Sequence, residues 1–330
     1  MAKVTVMLIL KTIFQLINKM KKLLGIVVLS LLLCGNSFAV KIVKLPKDVS
    51  SGSKFYKSLT GKYYKKYGYQ IVNKDKGHPV RAGNQSIRFE VRNGDCGRDP
   101  GSWSDCKNDR ERHELSGGQS HMTKGEYWFS WSIYFPKDHK NLYPLSNAFG
   151  QFHQKEGNPV FMFKELKNGY SIVRTITDKD EDYHQKNLLN NEEVLGKWFD
   201  VLINTKWTKK KDGFFKIWIN NELKYDYVGP TKSKSKVYQK FGVYRTGITR
   251  YLNYVNLDMM KKCFSEKGKT PEEHIGFRRF QKKKYPGHKT SIKIYKKCKS
   301  FYKIKEVPTT VIYFDEVRRG KTKDKVGVFK

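Results

Sequence analysis

The stretch EYWFSWSIYF at residues 126–135 places Tyr127, Phe129, Trp131, Ile133 and Phe135 at every second position. Such a period belongs to a strand with one apolar face and does not fit the 3.6-residue stripe of a helix. The habit recurs in SIRFEVR (86–92), WFDVLINTKW (198–207), FFKIWIN (214–220), LKYDYV (223–228), KFGVYR (240–245) and TTVIYFDEVR (309–318). Clusters of Gly, Asn, Asp and Pro separate the runs, and Asn220-Asn221 between two of them is a hairpin signal. Many short strands with few amphipathic helical patterns predict an all-β sandwich or barrel. Aromatic residues make up 14% of the chain, enough to fill such a core with little leucine. No repeat or Gly/Ser-rich linker divides the sequence, so residues 40–330 read as a single domain.

The N-terminus predicts the compartment. From Met20, Lys21 and Lys22 form a basic start, Leu23 to Leu33 an apolar run, and Ser37-Phe38-Ala39 a small-x-small cleavage site. Residues 1–39 are therefore expected to be a signal peptide, with Met20 as an alternative start, and the protein to be secreted or periplasmic. The apolar run is too short to make a good membrane anchor. Cys96, Cys106, Cys263 and Cys298 follow it. An even number in an exported chain predicts two disulfides, and the spacings suggest Cys96–Cys106 and Cys263–Cys298. No C-x-x-C or neighbouring histidine pair supports zinc. Residues 255–306 are basic and aromatic, lie before the last strand, and read as an insertion bracketed by the second disulfide.

Three short segments carry polar groups on one face and apolar groups on the other. In RHEL (112–115) Arg112 and Glu114 share a face; in QFH (151–153) Gln151 and His153 do; in KFGVY (240–244) Lys240, Gly242 and Tyr244 do. If the three strands are neighbours, these side chains converge on one surface. That set suits elimination across C4–C5 of a uronic acid. Arg112 and Gln151 would neutralise the C5 carboxylate. His153 or an ionised Tyr244 would take the C5 proton, and Tyr244 would protonate the leaving O4. Lys240, Glu114, Arg245 and Trp128 are the candidate substrate-binding residues. A lone strand histidine is usually structural; the company of the other two segments is what gives His153 a chemical reading.

The same segments resemble the signatures R-x-E-L, Q-x-H and Y-x-K-x-G-x-Y of the alginate lyase family 7 type. Together with FEVRNGDCG, WSIYFP and GQFHQ, they are similar to the glucuronan lyase (family 20) and heparin lyase I group. The resemblance covers roughly residues 85–250 and the closing VIYFDEVRRG. It implies a β-jelly roll, a concanavalin A-like sandwich of two antiparallel sheets, with the substrate in a groove on the concave sheet. It also implies β-elimination by Arg112, Gln151, His153 and Tyr244, with no cofactor required or with calcium assistance. His113 stands where the family usually has Ser or Thr, and Gln239 where it usually has an aromatic residue.

The formal net charge of +35 favours an anionic partner, although lysine-rich composition by itself explains part of it. An anionic polysaccharide fits the segments above. No recognisable nucleic-acid module appears, so nucleic acid is not the expected partner. Two other readings compete: a non-catalytic module that grips acidic glycans, and a glycoside hydrolase on the same fold. The hydrolase needs two carboxylates flanking the bond, and no E-x-D-x-x-E pattern is present. Asp315 and the acidic run 178–182 are candidates for a structural calcium. The metal site is otherwise unknown, and the protein is expected to be a monomer.

Overall fold

The computed structural model describes residues 15–16, 18–21, 41–59, 64–98, 103–118, 120–176, 183–256, 258 and 305–327. The chain divides into two units, Met1–Lys41 and Ile42–Lys330. In the first, residues 15–16 and 18–21 are helical and exposed. No helix among the described residues is long and apolar enough to cross a membrane.

In the second unit the strands follow in the order β1 (Ile42–Val43), β2 (Ser50–Ser51), β3 (Phe55–Lys57), β4 (Tyr69–Asn73), β5 (Gln85–Val91), β6 (Arg110–Ser116), β7 (Gly125–Tyr134) and β8 (Ser146–Gln154). They continue as β9 (Pro159–Leu166), β10 (Gly169–Arg174), β11 (His184–Asn190), β12 (Trp198–Trp207), β13 (Phe214–Ile219), β14 (Glu222–Val228), β15 (Val237–Thr246) and β16 (Thr310–Gly320). Among the described residues, α1 (Asn191–Val194) and α2 (Ile248–Val255) lie between strands.

The strands form two sheets. One runs β1-β3-β6-β15-β8-β9-β10-β11 and the other β14-β13-β12-β7-β16-β5-β4, with β2 beside β16. All pairings are antiparallel except β2 with β16. This is the expected β-jelly roll sandwich. The alternation explains the packing. Ile87, Phe89 and Val91 of β5, and Phe129, Trp131 and Ile133 of β7, are all buried in the core. Rings from opposite sheets meet there: Phe152 with Phe129 at 4.8 Å, Phe163 with Trp131 at 4.9 Å, Phe161 with Phe215 at 3.7 Å and Phe241 with Phe314 at 5.2 Å. Such ring contacts hold two sheets face to face. The β13–β14 hairpin turns at Asn220 and Asn221, both left-handed at φ 49° and 69°, as a tight hairpin requires.

The first unit contains the expected signal peptide, most of which lies outside the described residues. The same holds for most of the insertion 255–306, its Cys263 and Cys298, and the acidic run 178–182. The Cys96–Cys106 disulfide is present, with its α-carbons 5.0 Å apart.

Candidate active site

The three segments singled out in the sequence lie on adjacent strands, β6, β15 and β8, with β15 in the middle. Long-range pairing does this: Tyr244 stands opposite Arg112, Gly242 opposite Glu114, and Lys240 between Ser116 and Gln151. Tyr238 stands opposite His153. Leu115, Phe152, Phe241 and Val243 point into the core and are essentially inaccessible. The alternation then sends Arg112, Glu114, Gln151, His153, Lys240 and Tyr244 to the other face of the same sheet. Gly242 is required where β15 approaches β6. Its φ is 133°, and a β-carbon there would lie 2.6 Å from the His113 carbonyl oxygen.

Glu114 is the hub. Its carboxylate accepts from Lys240 Nζ at 2.6 Å, from Arg112 Nη1 at 3.3 Å and from Gln151 Nε2. Burial pushes its carboxyl up, but Lys240 and Arg112 outweigh this and hold it below its ordinary value. Glu114 is therefore an anion at neutral pH. The other face of Arg112 is clamped by Asp105, with Nε to Oδ2 at 2.6 Å and Nη2 to Oδ1 at 2.7 Å. A bidentate carboxylate fixes the plane of a guanidinium as well as its charge. That plane lies over the Tyr244 ring, with Cζ 3.9 Å from the centroid. Asp105 is fully buried and adjoins Cys106, so the Cys96–Cys106 disulfide braces the loop that holds Arg112.

The two proton-transfer candidates have opposite characters. His153 Nδ1 lies 2.7 Å from the Gln154 carbonyl oxygen and 3.2 Å from Tyr238 Oη, and its ring stacks on Tyr238. The carbonyl puts the proton of a neutral imidazole on Nδ1 and leaves a lone pair on Nε2. Burial, helped by the Lys240 charge, lowers the His153 pKa to about 4. It is a neutral base across the ordinary pH range. Tyr244 is buried, and burial raises its phenol above the usual 10 even though Arg112 and Arg110 pull it down. The phenol keeps its proton, and its oxygen accepts from Arg110 Nη1. The charges of Arg112 and Glu114 reach both His153 and Tyr244.

Two of the expected substrate-binding residues stand elsewhere. Arg245 follows Tyr244 and so takes the opposite face. It is fully buried, donating to Glu111 at 2.5 Å and to the Pro308 carbonyl at 2.6 Å. Trp128 belongs to β7 in the other sheet, where it stacks on Trp218 at 5.9 Å. Asp315, the calcium candidate, spends Oδ2 on the N–H groups of Arg81 and Ala82 and Oδ1 on that of Glu316. Among the described residues no three His, Cys, Asp or Glu side chains gather as a metal site.

Sequence reasoning missed Asp105, Arg110 and Tyr238. Arg110 carries the same two-residue signal as Arg112, one step further along its strand; Tyr238 does so beside Lys240 and is also the first tyrosine of the Y-x-K-x-G-x-Y signature. Asp105 lies in a loop, where no periodicity marks it.

A family model described as polysaccharide lyase matches residues 62–261. Among solved structures the chain is similar to the endo-beta-1,4-glucuronan lyase from the fungus Trichoderma reesei. Identity is 14% and the TM-score 0.46, covering 82% of this chain and 92% of that one. It is also similar to an alginate lyase from Pseudomonas aeruginosa, at 16% identity and TM-score 0.34 over 48% of this chain and 72% of the other. A polysaccharide lyase of family 18 is similar at 10% identity and TM-score 0.39, over 76% and 93%. No curated protein matches the sequence.

Proposed function

The chain belongs to the polysaccharide lyase family, and from that premise we propose that it cleaves a 1,4-linked, uronate-containing anionic polysaccharide by β-elimination. The observation that carries this reading is the pairing of a neutral His153 with a protonated Tyr244 on either side of the Glu114–Lys240–Gln151 cluster. His153 Nε2 takes the proton from C5. The electron pair moves toward the carboxylate, which Gln151 and Arg112 neutralise. Gln151 has one amide N–H beyond the one given to Glu114, and Arg112 has two N–H groups beyond those given to Asp105 and Glu114. The C4–O4 bond then breaks, the C4=C5 double bond forms, and Tyr244 Oη passes its proton to O4. General acid and base catalysis of this kind works only if each group starts in the right protonation state, and these two do.

The carboxylates at this site favour elimination over hydrolysis. Glu114 and Asp105 are both buried and committed to Arg112 and Lys240. Hydrolysis would need two carboxyl groups free to face the glycosidic bond.

The direct test is ultraviolet absorbance on glucuronan, alginate and heparin-type substrates. Elimination gives a conjugated unsaturated uronate that absorbs. New reducing ends without absorbance would mean hydrolysis and would sink the proposal. The pH profile separates the two candidate bases. If His153 is the base, kcat/KM falls as pH drops through about 4 and stays level from there into mildly alkaline solution. The sign follows from its chemistry: protonation below the pKa removes the lone pair. A rate that climbs steadily toward pH 10 would instead assign the base to an ionised Tyr244.

We also propose that the protein is exported through the segment beginning at Met20, since its substrate would lie outside the cell. Detection of a mature chain beginning near Val40 in the extracellular or periplasmic fraction would support this.

A further inference from the structure

Beyond Tyr244 the same sheet face changes character. Tyr244 is paired with Ala148, and Ala148 with Lys164 of β9, so Arg112, Tyr244, Ala148 and Lys164 form one row across four strands. Ala148 is buried and puts only a methyl between Tyr244 and Lys164 in this row. Three cations gather there. Arg110 donates to Tyr244 Oη. Lys164 feels the charges of Arg110 and Arg250, and burial together with those charges lowers its pKa to about 8. Arg250, on α2, folds back over Gly247, where a β-carbon would lie 3.0 Å from its Nη2. Gly247 adjoins Thr246, which is paired with Arg110. None of the three cations makes an ion pair with a described carboxylate, whereas Arg112 and Lys240 nearby are both neutralised.

An exposed aromatic ring borders this cluster. Trp103 is 38% exposed, and its Nε1–H donates to Asp105 Oδ1 at 2.8 Å, which fixes the indole. The Arg110 guanidinium lies over the indole at 4.9 Å and over the Tyr244 ring at 5.7 Å. Cations placed close together are costly until an anion joins them. A fixed, half-open indole suits the apolar face of a sugar ring.

We propose that Trp103, Arg110, Lys164 and Arg250 form a subsite for the leaving sugar, holding an oxyanion on the unit next to the one that is cleaved. This rests on the lyase reading given above. In that chemistry O4 departs with the neighbouring sugar and becomes its anomeric hydroxyl. Tyr244 protonates O4, so the leaving sugar must lie at the Tyr244 end, where the cluster is. The anion is either a carboxylate or a sulfate ester.

The test uses calorimetric titration of the full chain silenced by His153→Ala. One arm uses an unsulfated uronate tetrasaccharide and the other a sulfated heparin-type tetrasaccharide. Trp103→Ala, Lys164→Met and Arg250→Gln are each added singly. The loss of a hydrogen bond to a charged group predicts affinities about ten- to hundred-fold weaker. Weakening in the unsulfated arm supports the subsite with a carboxylate; weakening confined to the sulfated arm supports it with a sulfate. Unchanged affinity for Trp103→Ala and Arg250→Gln in both arms overturns it. Both of these side chains are exposed, so the result stands even if Lys164→Met fails to fold. Absorbance assays of the unsubstituted chain test the parent reading separately. Elimination with unchanged titrations sinks the subsite alone, and weakened titrations without elimination sink the lyase chemistry alone.

Discussion

Replacing His153 with alanine is expected to lower turnover by about 10²- to 10⁴-fold while substrate affinity stays within a few-fold of the parent. That span is roughly 3–5 kcal/mol of barrier. The imidazole meets its surroundings through Nδ1, which is taken by the Gln154 carbonyl and Tyr238. Nε2 has no hydrogen-bond partner among the described residues, so it is the atom that can act on a substrate. Removing the ring therefore removes the base and leaves the Glu114 cluster untouched. Tyr244→Phe is the companion. It deletes one oxygen, keeps the ring under Arg112, and should lower turnover to a similar degree. Steady-state kinetics together with binding to the silenced proteins check both. A large rise in KM with unchanged turnover would show that these groups only hold substrate.

The double replacement sharpens the point. If base and acid act in one elimination, His153→Ala with Tyr244→Phe should cost far less than the product of the two single effects. Independent, multiplicative losses would mean that the groups serve different steps.

What could be read from the sequence followed from strand periodicity. The facing of Arg112, Glu114, Gln151, His153, Lys240 and Tyr244 was legible because a two-residue repeat fixes it locally. The same rule, applied one residue on, places Arg245 on the opposite face, where it is found buried against Glu111. Which strands are neighbours was not legible from periodicity. β6 and β15 are far apart in the chain, and β15 inserts between β6 and β8 only through long-range pairing. Trp128 shows the same limit, since alternation gives its face but not its sheet. Asp105 and Trp103 sit in a loop stapled by Cys96–Cys106, where geometry is set by tertiary contacts and no repeat exists to read. The outcome is a site whose polar strand face, Glu114 and Lys240 included, was visible in the sequence and whose loop-borne support from Asp105 and Trp103 was not.

Glu114 sets the second large effect, which is on stability. Glu114→Ala is expected to destabilise the protein by about 3–5 kcal/mol, because it leaves a buried cation without its anion. Arg112 keeps Asp105, so Lys240 is the group that is orphaned: it is buried, and Glu114 is its ion-pair partner at 2.6 Å. For a domain of this size that is a drop of roughly 6–20 °C in Tm, at about 2–4 °C for each kcal/mol. Lys240→Met added to Glu114→Ala removes the orphaned charge and should recover much of the loss, giving a strong coupling in a double-mutant cycle. Activity should not recover with it, because Gln151 would still lack the carboxylate that orients it. Thermal unfolding of the four proteins provides the measurement. A Glu114→Ala protein within 1 kcal/mol of the parent would mean that water reaches Lys240. Recovery of turnover along with stability would mean that Glu114 supports the fold and has no part in holding Gln151 ready for the substrate carboxylate.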